Sequence, residues 1–87
     1  MKEICICAAV IAENGNIYRG HRHGDCIESI LRRKKSPKKD PKAQGFITSN
    51  NRYVDRYEGF KLQKEAGIKS VWDEGYHGEV LFSEDLY

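Results

Sequence analysis

Ile4-Cys5-Ile6-Cys7-Ala8-Ala9-Val10-Ile11-Ala12-Glu13-Asn14-Gly15-Asn16-Ile17-Tyr18-Arg19-Gly20 decides the fold. Residues 4–12 are apolar, rich in β-branched side chains and almost free of polar interruption, which reads as a buried central strand. Asn14-Gly15 is a strong short hairpin signal, because both residues tolerate positive φ. Residues 16–20 then return as a second strand. Working outward, Asp25 followed three residues later by Glu28 reads as an N-cap and capping box, and Ile27, Ile30 and Leu31 fall at helical spacing, so a helix is expected over 26–34.

The second half repeats this order. Gly45-Phe46-Ile47-Thr48 reads as a strand, Ser49-Asn50-Asn51 as a turn and Arg52-Tyr53-Val54 as the returning strand. Asp55 with Glu58 forms another capping box, and the helix that follows stops at Ala66-Gly67. Phe60, Leu62 and Ala66 give that helix its apolar side. Residues 78–82 read as a last edge strand and 83–87 as a closing turn. The expected fold is α+β: a small, mostly antiparallel sheet of two strand-turn-strand-helix units, with two helices on one face. Sequence identity between the halves is too low to establish a repeat.

At 87 residues the chain reads as a single domain, 1–87. A chain this short buries only roughly 60–65% of its unfolded surface, so self-association is a natural source of extra stability. The three cysteines, Cys5, Cys7 and Cys26, are an odd number. With no secretory signal and no apolar run long enough to span a bilayer, they point to a reduced, cytosolic and soluble protein.

Net charge is only +2, but it is unevenly placed. Residues 32–42 hold seven Lys or Arg and one Asp, whereas residues 73–87 hold five acids and no Lys or Arg. Ser36-Pro37 and Asp40-Pro41 bar a helix through the basic run, so residues 33–43 are expected to form a mobile loop. It reads either as a solvated loop or as an anion-facing edge.

His21-Arg22-His23-Gly24-Asp25-Cys26 comes close to the H-x-H-x-D-H motif of binuclear zinc hydrolases, with Cys26 in the place of the final His. Against a metal stand the shortness of the chain, a single further histidine, His77, and the guanidinium of Arg22 between the two imidazoles. The same residues read equally as a polar strand end or as contacts to an anion, since arginine presents a planar fork to phosphate. Arg52-Tyr53-Val54-Asp55-Arg56-Tyr57 interleaves arginine with aromatic rings in the same way. Arg52 or Arg56 could meet phosphate while Phe46 or Tyr53 stacks on a base; alternatively both arginines are solvated around a core Tyr53 or Val54. Asp25 and Asp55 could accept hydrogen bonds from ribose hydroxyls. Cys26 starts a helix with an apolar stripe and reads as a buried thiol rather than a nucleophile. Neither a P-loop nor a dinucleotide fingerprint nor a nucleophile elbow occurs, and nothing in the sequence calls for an enzyme, a cofactor or a bound metal.

Residues 8–12, Asn14-Gly15-x-Ile17-Tyr18-x-Gly20-x-Arg22-His23-x-Asp25, Gln44-Gly45-Phe46-Ile47-Thr48, Arg52-Tyr53-Val54-Asp55-Arg56-x-Glu58 and the closing Leu81-Phe82-Ser83-Glu84-Asp85-Leu86-Tyr87 together resemble a family of small phage proteins, the first-described Thoeris anti-defence family of nucleotide sponges. The resemblance covers nearly the whole chain. It implies a non-enzymatic role in the host cytoplasm: sequestering cyclic ADP-ribose isomers made by TIR-domain enzymes and, in some members, cyclic oligonucleotides of the CBASS system. It implies pockets between subunits of a homo-oligomer, a dimer or a hexamer built of dimers. It also implies that Phe46 stacks on adenine, that Arg22, His23 and Arg56 contact phosphate or ribose, and that Asp55 lies near the ligand. The basic, proline-broken segment departs from many relatives. A small nucleic-acid-binding regulator using that segment is the main alternative, and a metal-dependent hydrolase a lesser one. Nucleic acid is not expected as the partner, because the net charge is near zero and the basic run is short.

Overall fold

The computed structural model describes residues 2–71, 75 and 78–86. Strands β1 (Cys5–Ile11), β2 (Ile17–Gly20), β3 (Gln44–Thr48) and β4 (Tyr53–Asp55) form one antiparallel sheet in the order β2-β1-β3-β4. Helix α1 (His23–Arg32) follows β2, and helix α2 (Arg56–Glu65) follows β4. The expected α+β fold of two strand-turn-strand-helix units is therefore the observed one. β1 and β3 pair antiparallel at the centre of the sheet, so the two units meet there in equivalent ways.

The register puts both helices on the same face. Val10 pairs with Tyr18, Ala8 with Phe46 and Phe46 with Val54, and directly opposed residues share a face. Ala8, Val10 and Ala12 pack against Cys26 and Ile30 of α1. Cys5, Phe46 and Val54 pack with Leu81, flanked by Phe60 and Leu62 of α2.

Both hairpins close identically. Ala12 N–H donates to Asn16 O and Gly15 N–H to Ala12 O, at 2.8 and 2.9 Å; Thr48 N–H donates to Arg52 O and Asn51 N–H to Thr48 O, at 2.9 and 2.8 Å. In each, the residue before the returning strand is left-handed: Gly15 at φ +88 and Asn51 at φ +59. This is the three-residue turn closed by a residue of positive φ, not the two-residue turn that Asn14-Gly15 announces. Only Gly15 of that pair takes positive φ.

Three local expectations are corrected. Helix α1 starts at His23, and Asp25 is its third residue rather than its cap; the Asp25 carboxylate turns back to accept the Arg22 N–H at 3.2 Å. Leu31 is 56% exposed, and Cys26 with Ile30 faces the core instead. On α2 Phe60 and Leu62 pack against the core as expected, and the fully buried positions are Gly59 and Gln63. Gly59 lets the helix approach Phe46 and Leu81, for a β-carbon there would lie 3.2 and 3.3 Å from their side chains. Gln63 is buried because its Oε1 accepts the Cys5 N–H at 2.9 Å. Residues 78–82 form no strand: Gly78 is left-handed, and Leu81 N–H donates to Arg56 O at 3.0 Å instead of to a neighbouring strand. Asp55 does cap α2, accepting Glu58 N–H at 2.9 Å, and Gly67 ends it at φ +74.

The closing segment is a structural staple. Leu81, Ser83 and Asp85 are buried. The Asp85 carboxylate accepts from Phe82 N–H at 2.9 Å and from Ser70 Oγ at 2.5 Å, while its carbonyl accepts Val71 N–H at 3.0 Å.

Candidate functional site

The N-terminus of α2 builds the site. β4 delivers Asp55 to the cap position, and capping fixes Arg56 and Tyr57 as the first two helical residues. The Arg56 guanidinium donates to Leu81 O and to Gln44 Oε1, both at 3.1 Å, and lies over the Phe82 ring, 5.0 Å from its centroid. Facing it is the 3-10 turn Pro41–Ala43. Asp40 Oδ1 accepts the Lys42 N–H at 2.9 Å, and Tyr53 Oη donates to Lys42 O at 2.8 Å, so the Lys42 backbone is clamped from both ends. Burial and the neighbouring Asp55 carboxylate push the Tyr53 phenol well above its ordinary value, so it remains a donor across the physiological range.

Between these elements lies a cleft of about 260 Å³, with Lys42, Gln44, Asp55, Arg56, Tyr57 and Val80 in its wall. Two cations, a carboxylate, an amide and a 62% exposed tyrosine ring converge there. Helix N–H groups add positive potential at the same point. One Asp55 oxygen caps the helix. The other is a candidate acceptor for a ligand hydroxyl or amine.

Of the residues singled out in the sequence, Asp55 and Arg56 line this cleft. Arg22, His23, Phe46 and Arg52 lie elsewhere. Arg22 caps α1. His23 is buried, its Nε2–H donating to Gly45 O at 2.7 Å and its ring edge-on to Phe46 at 5.1 Å. Phe46 is fully buried between the sheet and α2, so the expected stacking on a base has no exposed ring face in this fold. Arg52 grips Glu3 with two hydrogen bonds of 2.8 Å and reaches Glu58 at 3.6 Å. The Arg52 fork, followed by the Thr48 hydroxyl, holds the Glu3 carboxyl below the usual carboxylate range. This arginine ties the N-terminal segment to the β3–β4 turn. Lys42, Gln44 and Tyr57 also line the cleft, although the sequence assigns none of them a ligand role. Asp40-Pro41 could have marked the turn, being an Asx cap with proline at the first position of a helical turn.

The residues of the zinc-like motif are dispersed among other tasks: His23 on Gly45 O, Asp25 on the Arg22 N–H and Cys26 in the core. Burial pushes the Cys26 thiol up to about 11 and the Cys5 thiol up to about 12. Among the described residues no group of three or more His, Cys, Asp or Glu could hold a metal, and no helix is long and apolar enough to cross a membrane.

Neither the curated proteins nor the solved structures contain a match to this chain. A family model described as phage T4 y16D protein matches residues 4–87. That span takes in both strand-turn-strand-helix units, the cleft and the closing staple, and the chain belongs to the phage T4 y16D protein family.

Proposed function

We propose that this phage-family protein binds a cyclic nucleotide immune signal, a cyclic ADP-ribose isomer or a cyclic oligonucleotide of the CBASS type, and withholds it unchanged from its receptor in the host cytoplasm. The observation that carries this reading is the convergence of Lys42, Arg56, Asp55 and the exposed Tyr57 ring on one cleft. Cations suit the phosphates, the carboxylate suits ribose hydroxyls or an exocyclic amine, and the ring suits a base. Tyr57 takes the stacking role that the resemblance to nucleotide sponges gives to Phe46. A binder needs only these groups. The chemistry-bearing residues elsewhere in the chain are otherwise occupied, with His23 on a carbonyl and Cys5 and Cys26 held as neutral thiols.

Size argues for assembly. Pockets that enclose small ligands hold roughly 300–1,000 Å³, and this cleft holds about 260 Å³. A nucleotide would fill it and protrude. Nanomolar retention requires about 12 kcal/mol, which an open surface does not supply. A second copy closing over the ligand would supply it, in keeping with the homo-oligomer expected of so short a chain.

Mixing the purified protein with cyclic ADP-ribose isomers and cyclic oligonucleotides, one at a time, tests this. At a thousandfold excess over the dissociation constant, bound ligand adds about 4 kcal/mol of stability and raises the melting temperature. Heating then releases the ligand with unchanged mass. A cleaved product would make the protein an enzyme, and absence of a shift with every candidate would remove the sponge.

A further inference from the structure

The densest charge on the chain is largely unused by the cleft. Of the seven Lys and Arg residues between 32 and 42, only Lys42 lines it. The run is tied to its neighbours by backbone hydrogen bonds. It leaves α1 through a tight turn, with Lys34 at φ +58, Lys34 N–H on Leu31 O at 2.9 Å and Lys35 N–H on Ile30 O at 3.1 Å. It is then stitched to the end of β1: Glu13 N–H donates to Ser36 O and Lys38 N–H to Ile11 O, each at 2.9 Å, and Ala12 bridges Pro37. The Asp40 cap and the 3-10 turn fix its far end. Arg32 pairs with Glu28 at 2.5 Å, and Arg33 lies over the Tyr18 ring at 5.9 Å. Lys34, Lys35, Lys38 and Lys39 are exposed and, among the described residues, have no carboxylate partner. The one acid of the run, Asp40, caps the 3-10 turn and offsets only one of the seven positive charges.

We infer that this ridge binds the phosphate backbone of nucleic acid, as an activity separate from the cleft. Four uncompensated lysines on a fixed backbone repel one another, and a partner of repeating negative charge relieves that repulsion. Protein partners fit poorly, because interfaces between proteins are depleted in lysine and centred on aromatic residues. A membrane surface needs an apolar anchor beside the charge, and among the described residues from 31 to 43 the one exposed large apolar side chain is Leu31. A net charge of +2 conceals the ridge because five acids gather at residues 73–87.

The probe is a labelled 20-base-pair DNA duplex, followed by fluorescence anisotropy from 50 to 200 mM KCl. Neutralising about four phosphates gives a slope of log affinity on log salt near −3.6, an affinity loss of about 150-fold over that range. Combining Lys35→Gln, Lys38→Gln and Lys39→Gln brings the slope to about −0.9. The melting temperature stays unchanged, because all three side chains are exposed. So does any binding of cyclic ADP-ribose isomers, so the two activities stand or fall separately. A duplex bound equally well by the triple variant overturns the inference, as does no measurable binding at 50 mM salt. Tighter binding to phosphatidylserine vesicles than to the duplex overturns it too, by assigning the ridge to a membrane.

Discussion

Replacing Gly45 by alanine is the sharpest perturbation of this fold. Gly45 lies in β3, paired with Ala9 on one side and Asp55 on the other. An added β-carbon would fall inside contact distance of Val54 O, 2.8 Å from Tyr53 Oη and 2.9 Å from Asp55 Cα. Two of these three atoms are backbone, so no rotamer change relieves the overlap. β4 must move. It is three residues long, with three partnered positions on β3, so the move also threatens the Tyr53 bond to Lys42 O and the His23 bond to Gly45 O. Overpacking costs about 1–3 kcal/mol, and each intramolecular hydrogen bond lost costs about 1 kcal/mol more. Together they predict a loss of about 3–5 kcal/mol, against a total stability of roughly 4–13 kcal/mol for a chain this long.

Equilibrium urea unfolding followed by far-ultraviolet dichroism measures this loss. Gly24→Ala is the control: nothing lies within 4 Å of its β-carbon position and it sits in α1, so alanine should raise stability by about 0.5 kcal/mol. A Gly45→Ala midpoint within 0.2 M of the parent, at unchanged slope, would falsify the packing assigned to β3 and β4.

Three further outcomes follow from the same geometry. Tyr57→Ala should weaken nucleotide binding by about 1–3 kcal/mol with the melting temperature held, since the ring is 62% exposed, whereas Arg56→Ala should lower both because it also holds Leu81 O; calorimetry and thermal melts separate the two. Glu3 has a depressed carboxyl, so its contribution to stability is present above the ordinary value of 4.5 and disappears as pH falls through the lower folded value. Melting temperatures measured from pH 6 to pH 2.5 should drop less steeply in Glu3→Gln than in the parent, and parallel curves would refute the Arg52 clamp. Cys5 and Cys26 are held at about 12 and about 11, so iodoacetamide at pH 8 should leave both unmodified in the folded protein and alkylate all three cysteines in urea; mass spectrometry reads the adducts.

The strands, the two hairpins and the Asp55 cap were legible because each rests on local chemistry: an apolar run, a left-handed turn residue, a carboxylate at a helix start. What stayed hidden depends on partners far along the chain. Arg52 reads as a free cation until Glu3, forty-nine residues away, comes into reach. Gly59 and Gln63 read as polar or neutral helix positions, and only the approach of Phe46 and the Cys5 N–H makes them the buried ones. Phe46 invites a stacking role because aromatic residues near arginine often take one, but the alternation of β3 sends its ring beneath α2. Two residues of the cleft wall stood out in the sequence, Asp55 as a helix cap and Arg56 as an arginine set among aromatic residues. The facing wall arrives from the turn at Lys42, and no local signal joins those two segments.

The cleft and the closing segment share one side chain. Arg56 donates to Leu81 O and stacks on Phe82, while Asp85 holds Phe82 N–H and Val71 N–H in turn. A ligand phosphate drawn to Arg56 therefore meets a guanidinium already oriented by the backbone it secures, so little side-chain entropy remains to be lost on binding. The same arrangement constrains substitution, because truncating Arg56 removes a structural tie together with the ligand contact proposed for it. Lys42 is the complementary case: its side chain is exposed, and only its backbone is clamped, by Asp40 and Tyr53. On the proposed function, affinity is therefore tuned at Lys42 and Tyr57 without touching the core, whereas Arg56 and Asp55 are held by the fold itself.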